Sequence, residues 1–460
     1  MGNDHFDVVI IGAGPAGSIA ALVLARGGAR VALVDKATFP RDKACGDLVG
    51  PRGVQVLDDL GIAVPGSLPV NDMVVIGPTG RRVHLPCYPG LTYPGHAIAT
   101  PRAEFDHVLR DEAVAAGAVP FAGQAIESLD GDGGLEGFVL SSGVRLRADN
   151  VIGADGATSR VAEMGRMADR RRVMWGFAIR GYLDQPVPIP HIVLWEPSPW
   201  RALPGYGWLF PAPGGRANVG VGVGTLADRT SAASAVRLLP AFVDHLQRLG
   251  LLAASPPPTD RLGGWLKMGI VGTIPAAGRV MLVGDAAGLV NPLQGEGISQ
   301  AITSGRAAAE AILADPDQAA ARYTARLAAD HLPYQRIAAA TQALLLPRPR
   351  AIAAIGRALT LPGIGSVIAG GWSIFWNELH DGAPPGRARA TAAVATSVGR
   401  ALTTRTATHR WFDQVLAPGT QAHPTPLAPG VPGHRLARPL PVGADVPHVD
   451  SERSRNGGRR

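Results

Sequence analysis

The sequence predicts a mixed α/β protein: a βαβ-based domain interleaved with an antiparallel β-sheet and followed by C-terminal helices. Three observations carry that expectation. The first is the apolar run Phe6-Asp7-Val8-Val9-Ile10-Ile11. It leads at once into Gly12-Ala13-Gly14-Pro15-Ala16-Gly17, a small-residue helical segment from Ser18 to Arg26, and a second apolar run from Arg30 to Val34 that ends in Asp35. The second is that the strand-into-turn form returns twice, at Val151-Ile152-Gly153-Ala154-Asp155-Gly156 and at Met281-Leu282-Val283-Gly284-Asp285. The third is that the stretches between these units, Met73 to about Ala99 and Val173 to Val223, carry strand-like apolar patterning.

Each part of the opening unit has a physical task. Gly12 allows a tight turn, Gly14 lets a backbone approach a pyrophosphate, and Gly17 lets the helix pack closely on the strand. The helix N-terminus offers free N–H groups and the positive end of its dipole. Asp35 lies 23 residues beyond Gly12, where a carboxylate can accept from an adenosine ribose. Strand, turn, helix, strand and acid together specify a Rossmann-like dinucleotide-binding unit; the glycines alone would not.

Composition narrows the class. At 460 residues the chain suits two or three closely packed domains, and 46% hydrophobic against 18% charged residues marks it as globular. Lysine occurs only as Lys36, Lys43 and Lys267, so the net charge of +7 is carried by arginine and says little about an anionic partner. No basic run carries interleaved aromatics, which argues against nucleic-acid binding. Cys45 and Cys87 are too few for a disulfide framework or a cysteine-rich metal site. No secretory pattern precedes the first strand, so a cytoplasmic location is expected, and no metal is expected.

After Asp35 the loop Phe39-Pro40-Arg41-Asp42-Lys43-Ala44-Cys45-Gly46-Asp47 leads to a helix over Pro51–Leu60. Its cationic and thiol side chains either reach a ligand or form an ordinary solvated loop. A helix opens at Thr100-Pro101-Arg102, and a short β segment spans Phe138 to Leu146. Glycine recurs at alternate positions in Asn218-Val219-Gly220-Val221-Gly222-Val223-Gly224, which signals close approach of a ligand or of another backbone. Helices are expected over about Ala232–Leu251, from Ile298, over Ala319–Leu346 and over Arg350–His380. The segment Ala358–Asn377 has no charged side chain. Its Pro362 and glycines favour a helix pair covering an apolar pocket over a membrane span, and attachment to a membrane surface stays open. The tail from about 416 to 460 is Pro-, Gly-, Ser- and Arg-rich and is expected to be disordered.

The units at Gly12–Gly17, Asp155-Gly156 and Gly284-Asp285 look like the three flavin-contact motifs of para-hydroxybenzoate-hydroxylase-type flavoproteins. Arg41-x-Lys43-x-Cys45-Gly46, Tyr206-x-Trp208-x-Phe210-Pro211, Asn218-Val219-Gly220-Val221-Gly222 and Asn291-Pro292-Leu293-x-Gly295-Glu296-Gly297 resemble the geranylgeranyl reductase branch over roughly residues 6–415. The resemblance implies a discontinuous FAD-binding domain at 1–72, 100–172 and 265–345, a β-sheet substrate domain at 73–99 and 173–264, and a helical region at 346–415. It implies FAD as cofactor, held by Gly12, Gly14, Pro15, Ala16, Gly17, Asp35, Lys36, Arg41, Cys45, Gly46, Arg102, Asp155, Gly284, Asp285, Pro292, Gly295, Gly297 and Ile298. Within that set, Arg102 would sit near the pyrophosphate, Asp285 would hydrogen-bond the ribityl chain, and the turn before Ile298 would face the isoalloxazine.

The branch saturates isoprenoid double bonds, which needs a hydride to one carbon and a proton to the other. Cys45 is the implied proton donor, or else a small buried filler beside Gly46. Tyr206, Trp208 and Phe210 line an apolar substrate channel or pack between sheet and flavin domain. Tyr206 and Phe210 break the Trp-x-Trp-x-Ile-Pro pattern of related halogenases. No second GxGxxG follows a strand in mid-chain, which leaves transient NAD(P)H entry or an external electron donor. The expectation is an FAD-dependent reductase of an apolar polyprenyl or polyene substrate. The same scaffold also serves secondary-metabolite tailoring, as a monooxygenase or as a cyclase that needs FAD structurally, or serves flavin binding without catalysis.

Overall fold

The fold is that of a computed structural model, which describes residues 4–85, 95–129, 137–198, 202–226, 234–254, 257–365, 367, 378 and 386–403. Cys87, the tail from 416 and most of Ala358–Asn377 lie outside the described residues.

An eight-stranded sheet runs through the first half of the chain and recruits strands from much later. Its path is Ala276–Ala277, Val280–Leu282, Arg145–Gly153, Asp4–Ile11, Val31–Asp35, Val119–Ala122, with Ile126–Leu129 and Gly137–Leu140 joined to its side. From Val280–Leu282 to Val119–Ala122 the strands are parallel, with Val9 opposite Val151, Ile152 opposite Met281 and Val8 opposite Val31. Val8, Val9 and Ile10 are fully buried, which is why this strand reads as an unbroken apolar run. Each such side chain contributes roughly 1.5–3 kcal/mol.

Small residues let the helices press onto this sheet. A Cβ on Gly305 would stand 2.1 Å from the Ala16 carbonyl oxygen, so the helix Ile298–Ala314 crosses the helix Pro15–Arg26 backbone to backbone.

A seven-stranded sheet is ordered Thr259–Met268, Met174–Leu183, Arg216–Leu226, Gly205–Ala212, His191–Val193, Met73–Ile76, Arg82–Leu85. It is antiparallel except where His191–Val193 meets Met73–Ile76. The helix Leu238–Arg248 buries Leu239, Phe242, Val243 and Leu246 against it, the 3.6-residue spacing of one apolar face. A third, three-stranded sheet joins Leu48–Val49, Ala97–Ala99 and Leu68–Val70.

Several boundaries differ from the sequence reading. The β-rich stretch Met73–Ala99 divides between two sheets, since Ala97–Ala99 pairs with Leu48–Val49 and Leu68–Val70. Thr259–Met268 belongs wholly to the seven-stranded sheet, because its ladder to Met174–Leu183 continues to Met268. The helix expected over Ala319–Leu346 is two, Ala319–Asp330 and Leu332–Leu345, broken at His331 before Pro333. The stretch Ala232–Leu251 holds a 3₁₀ turn, Ser234–Arg237, before its helix. Beyond Arg350, the described helix ends at Ala358.

Candidate active site

The three glycine- or acid-bearing turns stand side by side, because each follows the carboxyl end of one of three adjacent parallel strands. That edge is where open α/β sheets bind ligands. Gly12 adopts φ 106°, and a Cβ there would lie 2.3 Å from the Ala154 carbonyl oxygen, so no other residue fits. Gly14 is the N-cap of the helix Pro15–Arg26 and no side chain caps it, which leaves the first N–H groups open to a ligand. Asp35 braces this turn: its Oδ2 accepts from Ala13 N at 2.7 Å and its Oδ1 from Ala37 N at 2.8 Å. Lys36 is exposed beside it.

The second turn is used differently. Asp155 Oδ2 accepts from Arg160 N at 2.7 Å and from Val161 N at 3.2 Å, at the start of the helix Arg160–Met164. It does not line the cavity described next. In the third turn Asp285 does line the cavity, and Lys43 Nζ sits 3.1 Å from its Oδ2. This ion pair ties the cysteine loop to a turn more than two hundred residues later.

A cavity with about 1310 Å³ of empty space, open to solvent, lies where this edge meets one face of the seven-stranded sheet. Pro15, Cys45, Gly46, Arg102 and Asp285 border it from the parallel sheet's side. Pro292, Gly295, Gly297 and Ile298 border it from the turn that starts the helix Ile298–Ala314. Tyr206, Trp208 and Phe210 close it from the antiparallel sheet. The glycine alternation resolves into two uses. A Cβ on Gly220 would lie 2.2 Å from the Trp208 ring, so that glycine seats the indole, whereas Gly222 and Gly224 line the cavity. The aromatics likewise both pack and line: Trp208 is 4% exposed, and Tyr206 Oη donates to the Gln294 carbonyl oxygen.

Two arginines share one carboxylate, and one of them, Arg102, lines the cavity. Arg102 binds buried Asp106 through two bonds of 2.7 Å, and Arg41 reaches the same carboxylate at 2.7 Å. The Arg41 guanidinium stands beside Gly14, 3.4 Å from where a Cβ would be. Arg102 also faces the Cys45 thiol. Burial pushes that thiol above its ordinary range, Asp47 adds to the rise, and Arg102 and Lys43 oppose it.

The cysteine loop is fastened from behind. Asn218 Nδ2 donates to the Cys45 carbonyl oxygen at 2.9 Å and to Asp47 Oδ2 at 2.8 Å, and its Oδ1 accepts from Trp208 Nε1 at 2.8 Å. Tyr182 Oη also donates to Asp47 Oδ2. Burial raises the Asp47 carboxyl to about 6, against the lowering effect of Tyr182 and Asn218. Lys267, 2% exposed, is lowered to about 8 by burial, with Asp155 and Asp285 opposing the shift.

The sequence singled out part of the cavity lining but not its apolar members Leu48, Met73, Ile192, Leu266 and Met268, and it missed the roles of Asp47, Tyr182 and Lys267, whereas Gly12, Gly14, Ala16, Gly17, Asp35, Lys36, Arg41 and Gly284, like Asp155, stand outside the lining. Lysine scarcity was the available signal for Lys267, since a lone lysine in an apolar strand of a lysine-poor chain marks a buried position. Asp47 carried no such signal. Among the described residues no group of three His, Cys, Asp or Glu side chains could hold a metal ion. No helix among them is long and apolar enough to cross a membrane.

Comparison with known proteins agrees with this geometry. A sequence profile described as an FAD binding domain matches residues 5–175. A menaquinone reductase of Mycolicibacterium smegmatis is 38% identical over 318 residues, covering 67% of this chain and 76% of that protein. A geranylgeranyl diphosphate reductase of Rhodobacter capsulatus is 32% identical over 326 residues, covering 67% and 75%. A digeranylgeranylglycerophospholipid reductase of Methanopyrus kandleri is 32% identical over 320 residues, covering 66% and 80%. Among solved structures, a geranylgeranyl bacteriochlorophyll reductase-like protein from Thermoplasma acidophilum superposes with a TM-score of 0.66 at 20% identity, covering 90% of this chain and all of that one. A flavin-dependent brominase reaches 0.61 at 19%, covering 86% and 99%. These two structural likenesses show the shared fold. The protein uses FAD, and its reductase relatives settle its family: the chain is a member of the geranylgeranyl reductase family of FAD-dependent oxidoreductases.

Proposed function

We propose that this enzyme saturates a carbon–carbon double bond in a polyprenyl chain, and that a menaquinone-type lipid is the first substrate to test. The observation that carries the reading is the placement of one thiol, Cys45, in an open cavity walled by Tyr206, Trp208 and Phe210. The identity to a menaquinone reductase, 38% against 32% to the geranylgeranyl diphosphate reductase, favours an isoprenoid borne on a quinone.

The residues present fit FAD. The uncapped helix start at Gly14 suits a pyrophosphate, and two guanidiniums sharing the single Asp106 carboxylate leave a net positive charge beside it. We assign Gly12 to Gly17, Asp35, Lys36 and Arg41 to the ADP half. Gly284 and Asp285 would hold the ribityl side, and Pro292, Gly295, Gly297 and Ile298 the isoalloxazine. Asp155, occupied in capping, would border the flavin through its turn's backbone. Bound FAD, once reduced, supplies the hydride.

The chain supplies the rest. The aromatic wall holds the apolar chain and excludes water. Cys45 holds a proton at Sγ and gives it to the alkene carbon that does not receive the hydride, and the resulting thiolate, faced by Arg102, is reprotonated from solvent. NAD(P)H entering transiently, or an external electron donor, would reduce the flavin. The substrate's membrane origin would bring the enzyme to a lipid surface.

The test is anaerobic photoreduction of the flavoprotein followed by addition of menaquinone. Flavin reoxidation without oxygen, with a product two hydrogens heavier in its tail by mass spectrometry, is the expected result. NAD(P)H consumption that requires both oxygen and substrate would overturn the reading in favour of hydroxylation.

A further inference from the structure

Cys45 is the group the proposed reaction depends on, yet the residue that governs it stands behind it, outside the cavity lining. Asp47 is 1% exposed and sits at φ 60°, the left-handed region that Asp, Asn and Gly adopt with least strain. Its Oδ2 accepts from both Tyr182 Oη and Asn218 Nδ2, and its Oδ1 is buried with no hydrogen-bond partner. Asn218 also holds the Cys45 carbonyl oxygen, so one amide locks the carboxylate and the cysteine backbone in a fixed relation. The Asp47 N–H also faces the sulfur.

A carboxylate buried without an ion pair is an expensive arrangement that packing alone does not call for. The nearby cations are committed elsewhere. Arg180 binds Asp42 and the Asp260 carbonyl oxygen, and Arg102 is gripped by Asp106. What the arrangement does achieve, above about pH 6, is to set a negative charge against one thiol.

We propose that Asp47 is the positioning residue of Cys45: clamped by Tyr182 and Asn218, it orients the thiol toward the cavity and keeps the proton on sulfur. This rests on the reading of Cys45 as proton donor. The electrostatic balance at the sulfur follows from what faces it. Arg102, Lys43 and the Asp47 N–H favour thiolate, whereas burial and the Asp47 carboxylate favour thiol. Tyr206, from the opposite wall, is itself pushed up by burial and contributes no charge. Facing Asp47 are Tyr182, Asn218, Arg180 and Arg102. A thiol exposed to two cations without that carboxylate would part with its proton at lower pH and would be a poorer acid for a carbon centre.

The experiment measures the pH dependence of Cys45 alkylation by iodoacetamide in FAD-loaded protein, read by mass spectrometry of the Cys45 peptide. Asp47→Asn keeps the backbone conformation and removes the charge. Its alkylation profile moves about one pH unit to the acid side, so alkylation below the midpoint is about tenfold faster than in the wild type. Reductase activity in the same variant declines at correspondingly lower pH. Asp47→Gly, which also tolerates the positive φ, provides a second charge-free protein and shifts the same way. Flavin absorbance and circular dichroism show that each variant is folded. An unshifted alkylation profile in a folded, FAD-loaded variant overturns the proposal. Full activity in Cys45→Ser would overturn the proton-donor reading instead, and the two results are independent.

Discussion

The two large sheets build their halves of the cavity from different materials. The parallel sheet contributes backbone: glycine turns, an uncapped helix start and close contacts that a single Cβ would break. The antiparallel sheet contributes side chains: an indole seated on a bare glycine, a tyrosine reaching the opposite loop, and an asparagine joining three partners. Backbone sites are specified by what must be absent, and their changes act through sterics. Side-chain sites are specified by what must be present, and their changes act through chemistry while the fold survives.

That contrast can be broken most severely at Gly12. Gly12→Val puts a branched side chain at φ 106° and against Ala154, and we expect no soluble, FAD-loaded protein. A yellow, folded variant would show that the turn tolerates a side chain. Asp285→Ala removes a cavity-facing carboxylate at the end of a parallel strand and the partner of Lys43, and we expect it to purify without flavin absorbance. Full occupancy would shift the weight of cofactor binding onto backbone alone. On the side-chain half, Cys45→Ser should keep its flavin and lose about a hundredfold or more in turnover, as removal of a general acid does.

A smaller effect is expected from pH. The Asp47 carboxyl titrates near 6 in the fold against an ordinary value of 3.8, so the folded state holds the proton more tightly. Its contribution to stability is therefore full below about pH 4 and is lost as pH rises through about 6. Relative to Asp47→Asn, the wild type should lose about 3 kcal/mol across that window in chemical denaturation, and equal slopes would place Asp47 in solvent. Trp208→Phe removes the bond to Asn218 Oδ1 and empties the space over Gly220 that the indole fills, and it should lower stability by about 1–3 kcal/mol, with FAD retained.

How much of this was legible follows the same division. The glycine turn reads directly because strand, turn, helix and acid are contiguous, and the repeated strand-into-turn form placed Asp155 and Asp285 at equivalent strand ends. The partnership of Lys43 with Asp285, or of Asp47 with Asn218, depends on which strands become neighbours and in what register, and no local pattern encodes that. Asp155 shows the limit of equivalence: its position repeats the motif, but its carboxylate is spent on a helix start. The break at His331 escaped because a proline in the first turn of a helix is compatible with either one kinked helix or two.

The order of strands in the parallel sheet also bears on how the protein is made. Arg145–Gly153 lies between Asp4–Ile11 and Val280–Leu282, and the helix that seals the opening turn ends at Ala314. During synthesis the glycine turn at Gly12–Gly17 therefore emerges well before Val280–Leu282 and the helix Ile298–Ala314, which complete its surroundings. Until then the edge of Arg145–Gly153 is an open template for foreign strands. On the assignment proposed above, flavin capture waits for the turn at Gly284-Asp285. A fragment ending with the profile match at residue 175 would carry the most recognisable motif of the protein and still lack the third turn, to which we assign the ribityl side of the flavin.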